Sequence, residues 1–317
     1  MSKRVGANRQ LIGKVDAKGH GNVALGVDIG GTFIKFALVD ESGVTHCGFS
    51  LSTPKEPHTL ARTVKQGVAR LMRDCPKGYQ VLDTVGVDIP GIVDEERGIA
   101  TFAANLGWRD LHIKDLIGRC IGRPVVIGHD VRSGAMAESR WGCGYPDFLF
   151  LAIGTGISSV IVVNGESATT REWAGEIGQI PVPAYDGEIV PLERVCSASG
   201  IGEQAVRAGV FPDNRGSKQV YELVDHGNLE AKKITDFAVN TLAKMLAPVI
   251  AALGPIPLVL SGGLIKRGDR YCDELREAIV RNLGVVPCPK EIMPAILGTN
   301  AQVRGAALRA FMAEHEL

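Results

Sequence analysis

Apolar residues gather into short uninterrupted runs separated by Gly, Asp and Thr, a pattern that predicts buried strands joined by tight turns. Val23-Ala24-Leu25-Gly26-Val27-Asp28 opens a strand of the continuous apolar kind found in buried sheets. A second strand, Phe33 to Val39, follows after Ile29-Gly30-Gly31-Thr32, which leaves room only for a tight turn. Asp40-Glu41-Ser42-Gly43 signals the next turn, and Val44 to Ser50 reads as a third strand, so the chain starts with a β-meander. Leu60, Val64, Val68 and Leu71 then recur at helical spacing, and Val81 to Ile89 reads as a strand ending in Pro90-Gly91.

The pattern then repeats. Pro124 to Gly128 predicts a short strand feeding His129-Asp130, and Val131 to Arg140 predicts a helix. Asp130 therefore falls where a strand ends and a helix begins, the edge of an open α/β sheet at which ligands bind. Asp147 to Ile153 and Ser158 to Asn164 are two further strands, joined by Gly154-Thr155-Gly156-Ile157, which repeats the strand, Gly/Thr turn, strand order of residues 23–39. Ile234, Phe237, Thr241, Met245, Val249 and Ala252 describe a long helix, followed by the strand Leu258-Val259-Leu260 and the turn Ser261-Gly262-Gly263.

A chain of 317 residues exceeds one ordinary core and predicts two lobes of about 150 residues each. Lys+Arg and Asp+Glu both total 35, so no net field gathers nucleic acid or an anionic membrane. The seven cysteines are scattered without a C-x-x-C pair, as in a cytoplasmic protein with reduced thiols. Residues 1–22 are polar and Gly-rich without the apolar core of a signal peptide, and read as a flexible arm. Leu246 to Ile265 carries no charge, but Pro248, Gly254, Pro255 and Pro257 make it a helix end, a turn and a buried strand rather than a membrane span.

The turn Asp28-Ile29-Gly30-Gly31-Thr32 has a chemical reading. Two glycines let backbone N–H groups approach phosphate oxygens, Thr32 adds a hydroxyl, and Asp28 can hold hydrated Mg²⁺. Alone, it reads equally well as a hairpin turn. A second Gly/Thr turn at 154–156 and a third Gly pair at 262–263, each after a buried strand, favour phosphate binding.

Asp28-Ile-Gly-Gly-Thr32, Pro90-Gly91, Asp130, Ala174-Gly-Glu-Ile-Gly178, Leu192-Glu193, Ala198-Ser199-Gly200 and Ser261-Gly-Gly263 together resemble the ROK family of sugar kinases and repressors, from about residue 23 onward. The resemblance is glucokinase-like. It implies the two-lobed α/β fold of the actin, hexokinase and heat-shock ATPase superfamily, each lobe a mixed β-sheet flanked by helices, with sugar and ATP meeting in the cleft. The lobes would be residues 23–130, completed by a C-terminal helix within 300–317, and residues 131–299. The resemblance also implies a homodimer.

Carried over position by position, the resemblance makes Asp130 the base that accepts the sugar hydroxyl proton during attack on the γ-phosphorus. As a residue it also suits the N-cap of the following helix. Glu176 and Glu193 resemble sugar-hydroxyl acceptors, a fitting use of charge-assisted hydrogen bonds. Gly91, Asn105, His129 and Gln179 fall at further sugar-contacting positions, while Trp108 reads as packing. Asp28, Gly30, Gly31, Thr32, Lys35, Gly154, Thr155, Gly156, Gly262 and Gly263 fall at nucleotide positions, with Mg²⁺ held by Asp28 through water.

Three departures qualify the likeness. Many members carry a His after Glu-Ile-Gly and three nearby cysteines that bind zinc. Here Gln179 takes that place and Pro181 to Leu192 contains no cysteine, so Cys196 cannot complete a four-ligand site and no zinc is expected. That loop would instead be held by packing, helped by Pro181 and Pro183. His129 stands where sugar kinases of the family carry Asn, and an imidazole that titrates near neutrality opens the choice of sugar to amino sugars and other hexoses. Phe33 replaces a frequent Lys or polar residue after the phosphate turn. A sugar-responsive repressor would need an N-terminal helix-turn-helix, and the arm is too short and polar to supply one.

Overall fold

The computed structural model describes residues 21–168 and 171–315. The expected arm, residues 1–22, lies outside the described residues except for Gly21 and Asn22, which already belong to the first strand. The chain divides into two compact units: residues 1–146, 165–173 and 300–317 form one, and residues 147–164 and 174–299 the other.

The first unit begins with the meander β1 (Gly21–Ile29), β2 (Phe33–Asp40) and β3 (Thr45–Ser52), followed by helix α1 (Pro57–Arg73) and strand β4 (Tyr79–Ile89). Three short strands, β5 (Ile92–Asp94), β6 (Ile99–Ala103) and β7 (Trp108–Leu111), make a small antiparallel sheet. Helix α2 (Ile113–Ile121), strand β8 (Val125–His129) and helix α3 (Asp130–Trp141) follow. The main sheet runs β3-β2-β1-β4-β8. Strands β1, β4 and β8 are parallel, and β2 and β3 are antiparallel to their neighbours.

In the second unit β9 (Phe148–Ile153) and β10 (Ile157–Val163) form a hairpin. The two-residue strand β11 (Glu166–Ser167) lies in the segment that returns to the first unit. A second hairpin, β12 (Pro181–Pro183) and β13 (Ile189–Pro191), precedes helices α4 (Glu193–Cys196), α5 (Ala198–Arg207), α6 (Gly216–Asp225) and α7 (Leu229–Leu253). Strand β14 (Leu258–Ser261), helix α8 (Asp269–Leu283) and strand β15 (Ile292–Pro294) complete the unit. Its sheet places β10, β9, β14 and β15 side by side, with β9, β14 and β15 parallel. The last helix, α9 (Ala301–His315), belongs to the first unit.

The continuous apolar strands are explained by helices on both faces of the first sheet. Val23, Leu25, Val27 and Ile29 pack with Leu60, Val64 and Leu71 of α1 and with Ile113 and Ile117 of α2. Ala24, Ala37 and Val39 turn to the opposite face and meet Val303, Ala307, Ala310 and Phe311 of α9. This second face is closely fitted. Gly26 and Gly86 are cross-strand partners, and a Cβ on them would come within 2.2 Å of the Val303 carbonyl oxygen and 1.7 Å of that of Ala306. Only hydrogen on both strands lets α9 lie that near the sheet.

Three expectations change. The boundary does not fall after Asp130: α3 and the chain to residue 146 belong to the first unit, where Gly305 of α9 backs directly on the Ser133 carbonyl. The long helix is present, but its buried face is Ile234, Thr235, Ala238, Val239, Leu242, Ala243, Leu246 and Ile250. Phe237, Met245 and Val249 are only half-buried and Ala252 is exposed. The stripe read from the sequence was displaced because apolar residues such as Phe237, Met245 and Val249 also flank the buried face. By length and composition α7 could cross a membrane, but ten of its residues are buried in the second unit. Residues 181–192 are not held by packing alone: they form the β12–β13 ladder, with Val182 and Val190 buried, and Arg207 pairs with Asp186 at 2.7 Å and Glu188 at 2.6 Å.

Candidate active site

In the first unit the chemistry lies along one edge of the main sheet. Asp28 on β1, Asp88 on β4 and Gly128 on β8 occupy one cross-strand row, so the turn after Asp28 and the junction carrying Asp130 leave the same edge. One strand separates them, about 10 Å of sheet at the usual strand spacing. Asp28 is 7% exposed, and burial raises its pKa while Lys35, with Nζ 3.4 Å from Oδ2, opposes the rise.

The turn itself is braced from β3. Gly30 donates its N–H to the Phe33 carbonyl at 3.0 Å, Thr53 donates its N–H to the Thr32 carbonyl at 2.9 Å, and the Thr53 hydroxyl donates to the Gly30 carbonyl at 2.7 Å. Gly31 and Thr32 stay exposed. A Cβ on Gly31 would lie 3.3 Å from Asn105 Cβ, which places Asn105, exposed on a single turn of 3-10 helix, next to the Gly30–Thr32 turn. Gly91 backs on the Phe102 carbonyl of the strand leading to Asn105. Trp108 is buried at 4% exposure, as a packing residue is.

Asp130 opens α3, half-buried, and its Oδ1 accepts the Val131 N–H at 2.8 Å. The helix cap is not Asp130 but His129, whose Nδ1 accepts the Arg132 N–H at 3.4 Å. His129 is 4% exposed, and burial, aided by the Arg132 charge, lowers its pKa to about 3. The expected titration near neutrality is thereby overturned: this imidazole stays neutral throughout the physiological range.

The second unit gathers a separate set. Gly154-Thr155-Gly156 forms the tight β9–β10 turn, closed by the Gly154 N–H on the Gly156 carbonyl at 3.0 Å. Ser261 pairs in register with Ala152, so Gly262 and Gly263 leave the sheet beside this turn. Gly175 fixes the Ala174–Gly178 segment to β10: its φ is 92°, a Cβ there would meet the Ser159 carbonyl at 1.9 Å, and its own carbonyl accepts the Ser159 N–H at 2.8 Å. Glu176 then accepts the Ser158 hydroxyl at 3.3 Å. Glu193, the first residue of α4, accepts the Ile157 N–H at 3.3 Å and the Gln179 amide at 2.8 Å. Glu176, Gln179 and Glu193 thus cluster at the start of β10, immediately after the Gly154–Gly156 turn.

Among the described residues no group of three or more His, Cys, Asp or Glu side chains is placed to hold a metal. Cys196 is buried, its thiol donates to the Ala238 carbonyl at 3.2 Å, and burial drives its pKa far up. Sequence reading missed Ser158, Asp88 and Glu95. Asp88 carried the one available signal, a carboxylate inside a continuous apolar strand that would otherwise exclude it.

Residues 24–312 match the ROK family. A glucokinase from Halalkalibacterium halodurans is 28% identical over 306 residues, which cover 89% of this chain and 92% of that protein. An N-acetyl-D-glucosamine kinase from Histophilus somni is 27% identical over 302 residues, covering 89% and 97%. The crystal structure of a ROK family glucokinase from Streptomyces griseus, in complex with glucose and AMPPNP, matches with a TM-score of 0.77 at 26% identity, covering 92% of this chain and 99% of that one. Two mixed-sheet units with this connectivity and these turns define a sugar kinase of the actin-like ATPase architecture. The chain belongs to the ROK family.

Proposed function

We propose that the chain transfers the γ-phosphoryl group of ATP to the 6-hydroxyl of a hexose, with glucose as the substrate and Asp130 as the base. The observation that carries this reading is the shared sheet edge of Asp28 and Asp130, which sets a phosphate turn and a half-buried carboxylate about two strand spacings apart. Asp130 accepts the hydroxyl proton as the oxygen attacks in line. Glu176 and Glu193 accept hydroxyl protons of the sugar, with Gln179, Asn105 and Gly91 completing its contacts. Backbone N–H groups at Gly31 and Thr32, at Thr155 and Gly156, and at Gly262 and Gly263 hold the phosphates, Gly30 and Gly154 spend theirs on closing the two turns, and Lys35 adds a positive charge near the phosphates. His129 serves first as the cap that holds the helix of the base.

Asp28 fits a hydrated cation, because it offers hard carboxylate oxygens beside an exposed turn and lacks the companion ligands of an all-protein cage. Asp28 would hold Mg²⁺ there through water, and the ion would supply positive charge against the transferred phosphate. The balanced charge and scattered cysteines fit a cytoplasmic enzyme, and a homodimer is the assembly proposed.

A second reading, phosphorylation of an amino sugar, rests on Gln179 at a sugar position and on the similarity to the N-acetyl-D-glucosamine kinase. A coupled ATPase assay over hexoses, amino sugars and cyclitols separates the readings by the ratio of kcat/KM values. The base is tested by Asp130→Asn, which keeps the side-chain shape and should lower kcat about 10²–10⁴-fold. Wild-type kcat in that variant would remove Asp130 from the chemistry.

A further inference from the structure

Four ionisable side chains of the first unit meet beneath the Asp130 junction, at residues to which no sugar or nucleotide contact is assigned. They are Asp88 on β4, Glu95 after β5, Arg132 on α3 and Arg309 on α9, with Ser133 between them. Two are buried and two nearly so: the side chains of Asp88, Arg132, Glu95 and Arg309 are 0%, 2%, 11% and 12% exposed.

Glu95 is the hub. Its Oε1 accepts from the backbone N–H of His129 at 3.0 Å, from Arg132 Nη1 at 3.2 Å and from Arg309 Nη2 at 3.1 Å, and its Oε2 accepts from Arg309 Nη1 at 2.9 Å. Arg309 Nε donates to Ser133 Oγ at 2.5 Å, and Ser133 Oγ donates to Asp88 Oδ1 at 2.6 Å. Arg132 Nη2 donates to the carbonyls of Arg171 at 2.7 Å and Glu172 at 3.1 Å.

A buried ion network is a poor way to gain stability, since packed apolar residues of equal volume commonly do as well. Its distinctive product is direction. An Arg fork on a carboxylate fixes both groups in one plane, and here the fixed carboxylate holds the N–H of His129. That residue caps α3 and immediately precedes Asp130. The strand-to-helix junction is therefore set by α9, which packs directly against α3.

We propose that Arg309 is a positioning residue for phosphoryl transfer, acting through Glu95 to hold the His129–Asp130 junction. The proposal rests on the reading of Asp130 as the base. Displacing a reacting group by about an ångström costs on the order of 100-fold in rate, so the expected result for Arg309→Met is a fall in kcat of roughly 10- to 100-fold, with KM for ATP within about twofold of wild type. Arg309→Lys, which keeps a cation for Glu95 but loses the fork, should recover only a minor part of that loss. Arg304→Ala, on the same helix, where Nε donates to Thr45 Oγ1 at 3.3 Å outside the network, serves as a control that should leave kcat at the wild-type level.

The experiment measures kcat, KM for ATP and KM for sugar, below each variant's melting transition, for these variants, Glu95→Gln and Asp130→Asn. Glu95→Gln provides a second route if Arg309→Met does not fold, and should also lower kcat at constant KM for ATP. Wild-type kcat in folded Arg309→Met or Glu95→Gln overturns the proposal, as does a parallel loss of kcat and ATP binding. Failure of both to fold also overturns it, by assigning the network to the core alone. Wild-type kcat in Asp130→Asn would sink the base assignment instead, so the two failures are distinguishable.

Discussion

Gln179 donates its side-chain amide to Glu193, Nε2 to Oε1 at 2.8 Å, while Glu193 Oε2 takes the backbone N–H of Ile157 at 3.3 Å. Both oxygens of a proposed sugar acceptor are thus oriented by the protein before any ligand arrives. Gln179 is exposed and Glu193 half-buried, so the bond between them is of ordinary strength, about 1 kcal/mol.

Gln179→Leu should release Glu193 Oε1 and raise KM for the sugar roughly fivefold, the equivalent of about 1 kcal/mol, with KM for ATP unchanged. Steady-state kinetics with each substrate varied in turn makes the check. A change confined to ATP would place Gln179 and Glu193 with the nucleotide instead.

The residues that sequence reading found are those that end apolar runs. Asp28, Asp130, the Gly154 turn and the Gly262 pair stand out because each interrupts a strand that is otherwise continuous, and strand ends are where α/β sheets place ligands. The network around Glu95 left no such mark: Glu95 and Arg309 are 214 residues apart, and each reads locally as a surface charge. Gly26 and Gly86 were equally silent, since their lack of a Cβ acquires meaning only once α9 is known to lie across them. The small β5–β7 sheet escaped because strands of three to five residues are too short to show a period.

The docking of α9 predicts a stability effect that needs no knowledge of function. Gly86→Ala would place a methyl group 1.7 Å from the Ala306 carbonyl oxygen, a backbone atom that cannot rotate away. The helix must shift, at a cost of about 3 kcal/mol, the upper end for overpacking, and a drop in Tm of roughly 5–10 °C. Thermal unfolding followed by circular dichroism reads the change. An unaltered Tm would show that α9 does not lie against β4 as described.

Metal content gives an independent test. With Gln179 at the position of a frequent family His and Cys196 buried on the Ala238 carbonyl, purified protein should contain no stoichiometric zinc. Chelation should abolish turnover, and Mg²⁺ alone should restore it, because each turnover needs the phosphate charge neutralised. One zinc per chain by elemental analysis, or activity recovered only with zinc, contradicts the assignment.

His129 makes a prediction in two parts, one for stability and one for specificity. Its pKa in the folded chain is lowered from 6.5 to about 3, chiefly by burial. Below about pH 6.5 the unfolded chain therefore binds a proton that the folded chain refuses. The stability associated with the neutral ring is present in full above that pH and is lost as pH falls toward 3. One proton contributes at most about 1.4 kcal/mol per pH unit, so at pH 5 the loss is on the order of 2 kcal/mol. Asn caps helices well and does not titrate, so His129→Asn should fold normally and lose about 2 kcal/mol less than wild type between pH 7 and pH 5, as measured by urea denaturation. Its kcat/KM values over the sugar panel should keep the wild-type order, because a ring that is 4% exposed and occupied in capping α3 has little surface left to read a hydroxyl. A reordered panel, with the acid sensitivity unchanged, would assign the ring to sugar recognition and remove the cap from its role.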